Sequence, residues 1–341
     1  MKIYILAFLL LFTVFSSFLL PGSHPDPKTE TSGTAKIVFK STDGGQTWQD
    51  ISQGLPENLQ VDSLGGNSFF ANDKGLFLRV GNGLYHSTPT ATAPFWTKKM
   101  FPAVQSRIAP GKSEKFHWGV NLKTTNGTSV WSPIFENFHE PRIRSVFETA
   151  GGAIFIGTDR GLFKTGNNGK TWKHVYAGGL VGHLAESDRV LLVTSMRRII
   201  RSTDGGETWA PTVSEDNVAF DVKPIIGGFA AITSTSESDT RRLSTSYDGG
   251  KTWQSIHSGL RDKVVIDSIW RTWDDRPSMQ AFMTSITQVG EAFFCTHPDG
   301  IFKSSDKGKT WNLLLPSVDD KSFGLFVSGN VIYAIRSRGG C

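Results

Sequence analysis

Ser202–Trp209 reads STDGGETW, and the same eight-residue pattern returns as STDGGQTW at Ser41–Trp48, SYDGGKTW at Ser246–Trp253 and SSDKGKTW at Ser304–Trp311. A fifth copy, TGNNGKTW at Thr165–Trp172, places Asn167 where the others carry Asp43, Asp204, Asp248 and Asp306. Two weaker copies fill the gaps. One is TTNGTSVW at Thr124–Trp131; in the other, Gly83-Leu84-Tyr85-His86-Ser87 leads through a longer loop to Trp96. A fixed repeat marks a structural unit that buries its apolar face only against its neighbours, so the repeat is read before any single element. Seven tryptophans therefore mark seven units, recurring about every 44 residues, the length of one four-stranded propeller blade.

The pattern has local physics. A Ser hydroxyl and an Asp carboxylate accept backbone N–H groups inside a turn, Gly supplies positive φ, and Trp fills the gap between neighbouring sheets. Short apolar runs precede each copy. Gly161-Leu162-Phe163-Lys164 and Gly300-Ile301-Phe302-Lys303 read as third strands, and Ala153-Ile154-Phe155-Ile156 and Ala292-Phe293-Phe294-Cys295 as second strands. Arg144-Ser145-Val146-Phe147 reads as a first strand, joined to the second by a Gly151-Gly152 hairpin turn. After the last copy, Ser322–Asn330 and Val331–Ile335 supply a first and second strand without a third, and Lys36-Ile37-Val38-Phe39-Lys40 at the other end supplies the missing one. The expectation is an all-β chain. It forms a single seven-bladed β-propeller of four-stranded antiparallel blades over residues 35–341, closed by pairing of its N- and C-terminal strands, with no open edge at the seam.

The octapeptide resembles the Asp-box, or bacterial neuraminidase repeat, S-x-D-x-G-x-T-W. That repeat is found in sialidases, sortilin-type receptors, xyloglucanases and photosystem II assembly factors. The resemblance implies a propeller fold and leaves activity open, because the box serves its own turn. A metal site at Asp43, Asp204, Asp248 and Asp306 is disfavoured for the same reason, and no cofactor or metal is expected.

The composition, 38% hydrophobic with 36 Gly against 15 Pro, suits short strands and tight turns. A net charge of +5, without a lysine-rich run or a nucleic-acid motif, argues against nucleic-acid binding and for acidic partners if the arginines cluster. Residues 1–20 carry Lys2 and then a long apolar stretch, read as a secretory signal, with an uncleaved membrane anchor as the alternative. Residues 21–34, PGSHPDPKTETSGT, read as a flexible linker. The chain is thus expected outside the cytoplasm, as a monomer. Its two cysteines are not expected to pair: Cys295 aligns with Ala334 on second strands, and Cys341 lies roughly 20 Å beyond at the extended-strand rise.

The boxes are third-to-fourth turns, so ligands are expected on the opposite face, which carries the second-to-third loops and the crossovers between blades. Those loops bring arginines: Asp159-Arg160, Met196-Arg197-Arg198, Asp239-Thr240-Arg241-Arg242 and Arg336-Ser337-Arg338, with Thr296-His297-Pro298-Asp299 in the remaining one. Converging guanidinium groups would form a cationic rim for carboxylates or phosphates. The alternative is a set of solvated loop charges paired with nearby aspartates. A crossover insertion at 261–283 holds Trp270, Trp273, Asp274, Asp275 and Arg276, which either grip a sugar or peptide or fold the insertion onto its own blade.

Sialidase chemistry is not supported. Pro141-Arg142-Ile143 has the wrong order for an Arg-Ile-Pro element, and no tyrosine is placed as a channel-facing nucleophile. Hydrolysis of the xyloglucanase kind needs two facing carboxylates, for which Asp159 and Asp299 are the candidates, with Asp274 and Asp275 on the same face. The leading expectation is an exported, non-catalytic binding or assembly propeller that holds an acidic protein segment or glycan through Arg160, Arg197, Arg198, Arg241, Arg242, Arg336, Trp270 and Trp273. A glycoside hydrolase on the same scaffold is the alternative, and a structural or adhesive surface protein ranks below both.

Overall fold

The computed structural model describes residues 36–56, 59, 69–72, 74–80, 83–99, 108–110, 117–121, 130–134, 138, 143–195, 198–212, 217–235, 241–260, 283–318 and 322–337. The expected signal and linker, Arg197, Trp270, Trp273 and Cys341 lie outside these residues. Among the described residues every regular element is a strand, and the strands form seven antiparallel sheets, six of four strands and one of three.

Numbered by the order of their box tryptophans, sheet 1 consists of Ser322–Ser328, Val331–Ser337, Val38–Ser41 and Gln49–Asp50. Sheet 2 holds Phe69–Asn72, Gly75–Val80, Gly83–Ser87 and Thr97–Lys99, and the three-stranded sheet 3 holds Ile108–Pro110, His117–Asn121 and Val130–Ile134. Sheet 4 is Ile143–Glu148, Ile154–Thr158, Gly161–Thr165 and Lys173–Tyr176; sheet 5 is Val181–Ser187, Val190–Ser195, Arg198–Ser202 and Ala210–Pro211. Sheet 6 is Asn217–Ile225, Gly228–Thr235, Arg241–Ser246 and Gln254–Ser255, and sheet 7 is Ile286–Val289, Ala292–His297, Gly300–Ser304 and Asn312–Pro316. Each four-stranded sheet other than sheet 1 is a simple meander. Sheet 1 draws its strands from both ends of the chain, with Val38 opposite Ile335 and Phe39 opposite Ala334. The expected seam pairing is therefore present.

The first strands of sheets 4, 5, 6, 7, 1 and 2 contact one another in that order, which makes them the inner strands. The core is divided among the gaps between sheets. Phe155 and Leu162 of sheet 4 pack with Leu184, Leu191 and Trp209 of sheet 5. Leu192 of sheet 5 packs with Phe229 and Trp253 of sheet 6; Ile232 and Leu243 of sheet 6 pack with Phe293 and Trp311 of sheet 7. Phe294 of sheet 7 packs with Phe39 and Trp48 of sheet 1, and Ile37 and Tyr333 of sheet 1 with Trp96 of sheet 2. Each of these gaps is closed by the box tryptophan of the later sheet. Two of those indoles also donate to the sheet before: Trp311 Nε1 to Ile256 O at 2.8 Å, and Trp96 Nε1 to Ile51 O at 2.7 Å. Cys295 is fully buried in the gap between sheets 6 and 7 as a free thiol, and burial drives its pKa upward, so it packs as a small apolar residue.

A second tie runs the other way. Among the described residues, a Lys or Arg just before the box Ser or Thr reaches the box or adjoining loop of the next sheet in four sheets. Lys303 Nζ donates to Gly44 O at 3.0 Å, Lys40 Nζ to Pro89 O at 2.6 Å and Arg201 Nε to Gly249 O at 2.7 Å, while Lys164 pairs with Glu207. Sheet 6 carries Thr245 at this position, and its contact with sheet 7 includes Ile226 N–H donating to Gln288 Oε1 at 2.7 Å. Among the described residues, these five gaps are thus filled by an apolar plug and four of them are also crossed by a basic strap.

Candidate functional site

The boxes are the most polar turns of the fold, and their geometry shows where that polarity goes. Ser41 Oγ donates to Asp43 Oδ1 at 2.8 Å and accepts from Gly45 N–H at 2.8 Å. Thr47 N–H donates to both Asp43 oxygens at 3.0 Å, and its hydroxyl donates to Oδ2 at 2.5 Å. Asp204, Asp248 and Asp306 hold Thr208, Thr252 and Thr310 in the same way. Asn167 reproduces the turn as an amide, its Oδ1 accepting from Thr171 N–H at 3.0 Å and its Nδ2 donating to Thr171 Oγ1 at 2.8 Å. The threonine hydroxyl, then the threonine amide, lowers the carboxyls of Asp43 and Asp306 to about 2, and the same groups lower Asp204 and Asp248. These carboxylates serve their own turns.

At the opposite face the second-to-third connections end in different chemistry. Arg160, Arg198 and Arg242 are exposed in sheets 4, 5 and 6. Arg241 is not part of that exposed set. It is 9% exposed, its guanidinium lies 3.9 Å from the centre of the Phe220 ring, and its Nη1 donates to Met283 O at 2.7 Å. Strand alternation explains the contrast, since Arg241 and Arg242 open a strand and must point to opposite sides. Arg336 is half-buried in sheet 1, its Nη1 donating to Lys36 O at 3.3 Å. The carboxylate candidates both have basic or imidazole partners in their own sheets. Asp159 Oδ1 accepts from Arg144 Nε at 2.6 Å, and Asp299 Oδ2 lies 3.4 Å from Nδ1 of the buried His297. Asp159 belongs to sheet 4 and Asp299 to sheet 7, with sheets 5 and 6 between them in the order.

Three inner strands carry irregularities that sequence reading missed. Pairing between first and second strands shifts at Ile143/Ser145 in sheet 4, Val181/Leu184 in sheet 5 and Ala219/Asp221 in sheet 6. Bulges re-aim side chains, and here the affected stretches carry Arg144, His183 and Phe220 with its neighbour Asp221. His183 N–H donates to Thr194 Oγ1 at 2.8 Å, which satisfies the displaced backbone. The Asp221 carboxylate is 4% exposed, with Oδ1 3.4 Å from His183 Nδ1 and 3.3 Å from Lys223 Nζ. These contacts are ionic in length; Oδ1 accepts no aligned hydrogen bond among the described residues. The His183 ring is half-exposed yet enclosed by the inner strands, and that desolvation lowers its pKa against the opposing pull of Asp221. The available signal was a lone acid inside the apolar run Val218-Ala219-Phe220-Asp221-Val222.

Box turns, inter-sheet tryptophans and inner strands together define an all-β propeller. The family model for the BNR/Asp-box repeat matches residues 39–50 and 200–211, so the propeller carries BNR/Asp-box repeats. Solved structures similar to this chain include YCF48 from Cyanidioschyzon merolae, 14% identical over 81% of this chain and 98% of that one, TM-score 0.48. Virginiamycin B lyase from Staphylococcus aureus is 10% identical over 79% and 93%, TM-score 0.49. An ancestral GH74 enzyme is 18% identical over 59% of this chain, TM-score 0.45, and the chain spans 28% of that enzyme's length. No curated protein sequence matches the chain.

Proposed function

We propose that this chain is an exported, non-catalytic binding propeller that holds an acidic protein segment or glycan on the face opposite its Asp boxes. The observation that supports it most is the exposed arginine at that face in each of three consecutive sheets, Arg160, Arg198 and Arg242. Guanidinium groups grip carboxylates with paired, directed hydrogen bonds, so neighbouring exposed arginines suit an acidic partner. The apolar segment at residues 1–20 supports export by a signal or an anchor. A monomeric seven-bladed ring is part of the same proposal.

The test is the triple variant Arg160→Ala/Arg198→Ala/Arg242→Ala, titrated at low salt with a labelled oligoglutamate peptide and with polygalacturonate. Expected is a loss of affinity of about tenfold or more with an unchanged melting temperature. Wild-type affinity in the triple variant would remove the reading.

Glycoside hydrolysis remains the second reading, resting on Asp159 and Asp299 at the same face. Two carboxyl groups acting on one bond are held about 5 to 9.5 Å apart. The partners that Asp159 and Asp299 have in their own, non-adjacent sheets favour binding over hydrolysis. Release of sugar from any member of a broad polysaccharide panel, abolished by Asp159→Asn or Asp299→Asn, would reverse that preference.

A further inference from the structure

We infer that His183 and Lys223, backed by Asp221, form a carboxylate-binding subsite on the inner strands of sheets 5 and 6 that takes an acidic side chain or the terminal carboxylate of a peptide segment. This deepens the proposed function and rests on it, since it names where below the arginine rim the acidic segment is held.

The three side chains are unequally exposed. Asp221 is almost fully buried, while the side chains of His183 and Lys223 are 51% and 40% exposed on inner strands of neighbouring sheets. A ligand that reaches these strands therefore meets an imidazole and an ammonium group, with the acid largely hidden. Burying a carboxylate oxygen without an aligned hydrogen bond, as at Asp221 Oδ1, destabilises a fold, and such local costs concentrate where a site needs them. The carboxylate holds the Lys223 ammonium by charge and lies 3.4 Å from the His183 ring, so the remaining polar atoms of both heads are left for a ligand. The bulge at Val181/Leu184 supplies the turn of strand that aims the imidazole, with Thr194 bonding the displaced amide. Arg144, 45% exposed at the sheet 4 bulge, adds a third basic group on the next inner strand, although Asp159 holds it. The inner strands of sheets 4, 5 and 6 thus present N–H donors inward of Arg160, Arg198 and Arg242.

A peptide is favoured over a glycan because sugar recognition relies on exposed aromatic rings. Among the residues whose side chains are described, the large exposed aromatic is Tyr247, which sits in a box on the other face. Phe220, near the subsite, is covered by the Arg241 guanidinium.

The experiment uses the full chain, a labelled deca-glutamate peptide and polygalacturonate as probes, and three variants: His183→Gln, Asp221→Asn/Lys223→Gln and the triple arginine variant. The double substitution removes both charges together, so no carboxylate is left buried beside a missing lysine. Expected for His183→Gln and for the double variant is a loss of about tenfold in peptide affinity with normal melting temperature. The His183 ring resonance in histidine-labelled protein, assigned by its absence in His183→Gln, should move on addition of peptide. If the triple arginine variant loses binding while both subsite variants keep wild-type affinity and the resonance stays still, the subsite is overturned and the rim reading stands. If polygalacturonate alone moves the resonance, the peptide assignment is overturned. If wild-type protein binds neither probe, both readings fall together.

Discussion

On the box face five turns repeat one scheme, in which a hydroxyl and a carboxylate or amide side chain close the turn and a threonine closes back on it. On the opposite face the second-to-third connections of the same sheets share no scheme: Asp159 is held by Arg144, Arg241 turns inward onto Phe220, and Arg160, Arg198 and Arg242 stay outside. Asn167 sharpens the contrast. An amide serves in the box as well as a carboxylate, so charge is not what the box requires, and its acids need no outside partner. Repetition here marks what folds the chain, and the unrepeated side chains mark where recognition can be specified.

The largest effects should come from the box side and should be effects on folding. Trp311→Ala opens the gap between sheets 6 and 7 and leaves Ile256 O unpaired, at a cost of about 3 to 5 kcal/mol in chemical denaturation. Gly206→Ala should rank near it, because Gly206 has φ of 83° and an added Cβ would lie 2.4 Å from Phe155 Cζ. Cutting one strap with Lys303→Met, which releases Gly44 O, should cost about 1 kcal/mol. A correspondingly large loss of stability from the exposed rim arginines would break the contrast.

Acid gives a finer probe of the same side. The box carboxyls have folded-state pKa values below the ordinary 3.8, so their contribution to stability is full above that value. It is lost as the pH falls toward about 2, where Asp43 and Asp306 take up protons. Melting temperature should therefore drop across that interval, and converting Asp43, Asp204, Asp248 and Asp306 to Asn should flatten the drop while preserving the fold. An equally steep acid transition in the quadruple variant would show that other groups control it.

Much of the fold was legible because its determinants are local. The octapeptide carries its turn within eight residues, and the two half-sheets at the chain ends could be matched by counting strands. The straps were visible too, as a basic residue before Ser41, Thr165, Ser202 and Ser304, but their acceptors belong to the next sheet and no local pattern names them. The site was less legible for the same reason. Arg241 and Arg242 are neighbours with opposite fates, decided by where a strand begins. The approach of His183 to Asp221 depends on two bulges and on the packing of two sheets, so the acid at 221 shows in the sequence but its partner does not.

The division between faces is tested most directly by one titration comparing two triple variants of equal charge change. Arg160→Ala/Arg198→Ala/Arg242→Ala alters the rim, and Lys251→Ala/Lys307→Ala/Lys309→Ala removes three exposed lysines from the boxes. With the deca-glutamate peptide at low salt, affinity should fall by about tenfold or more in the rim variant and stay near wild type in the box variant. Equal loss in both, or loss in the box variant alone, would contradict the account.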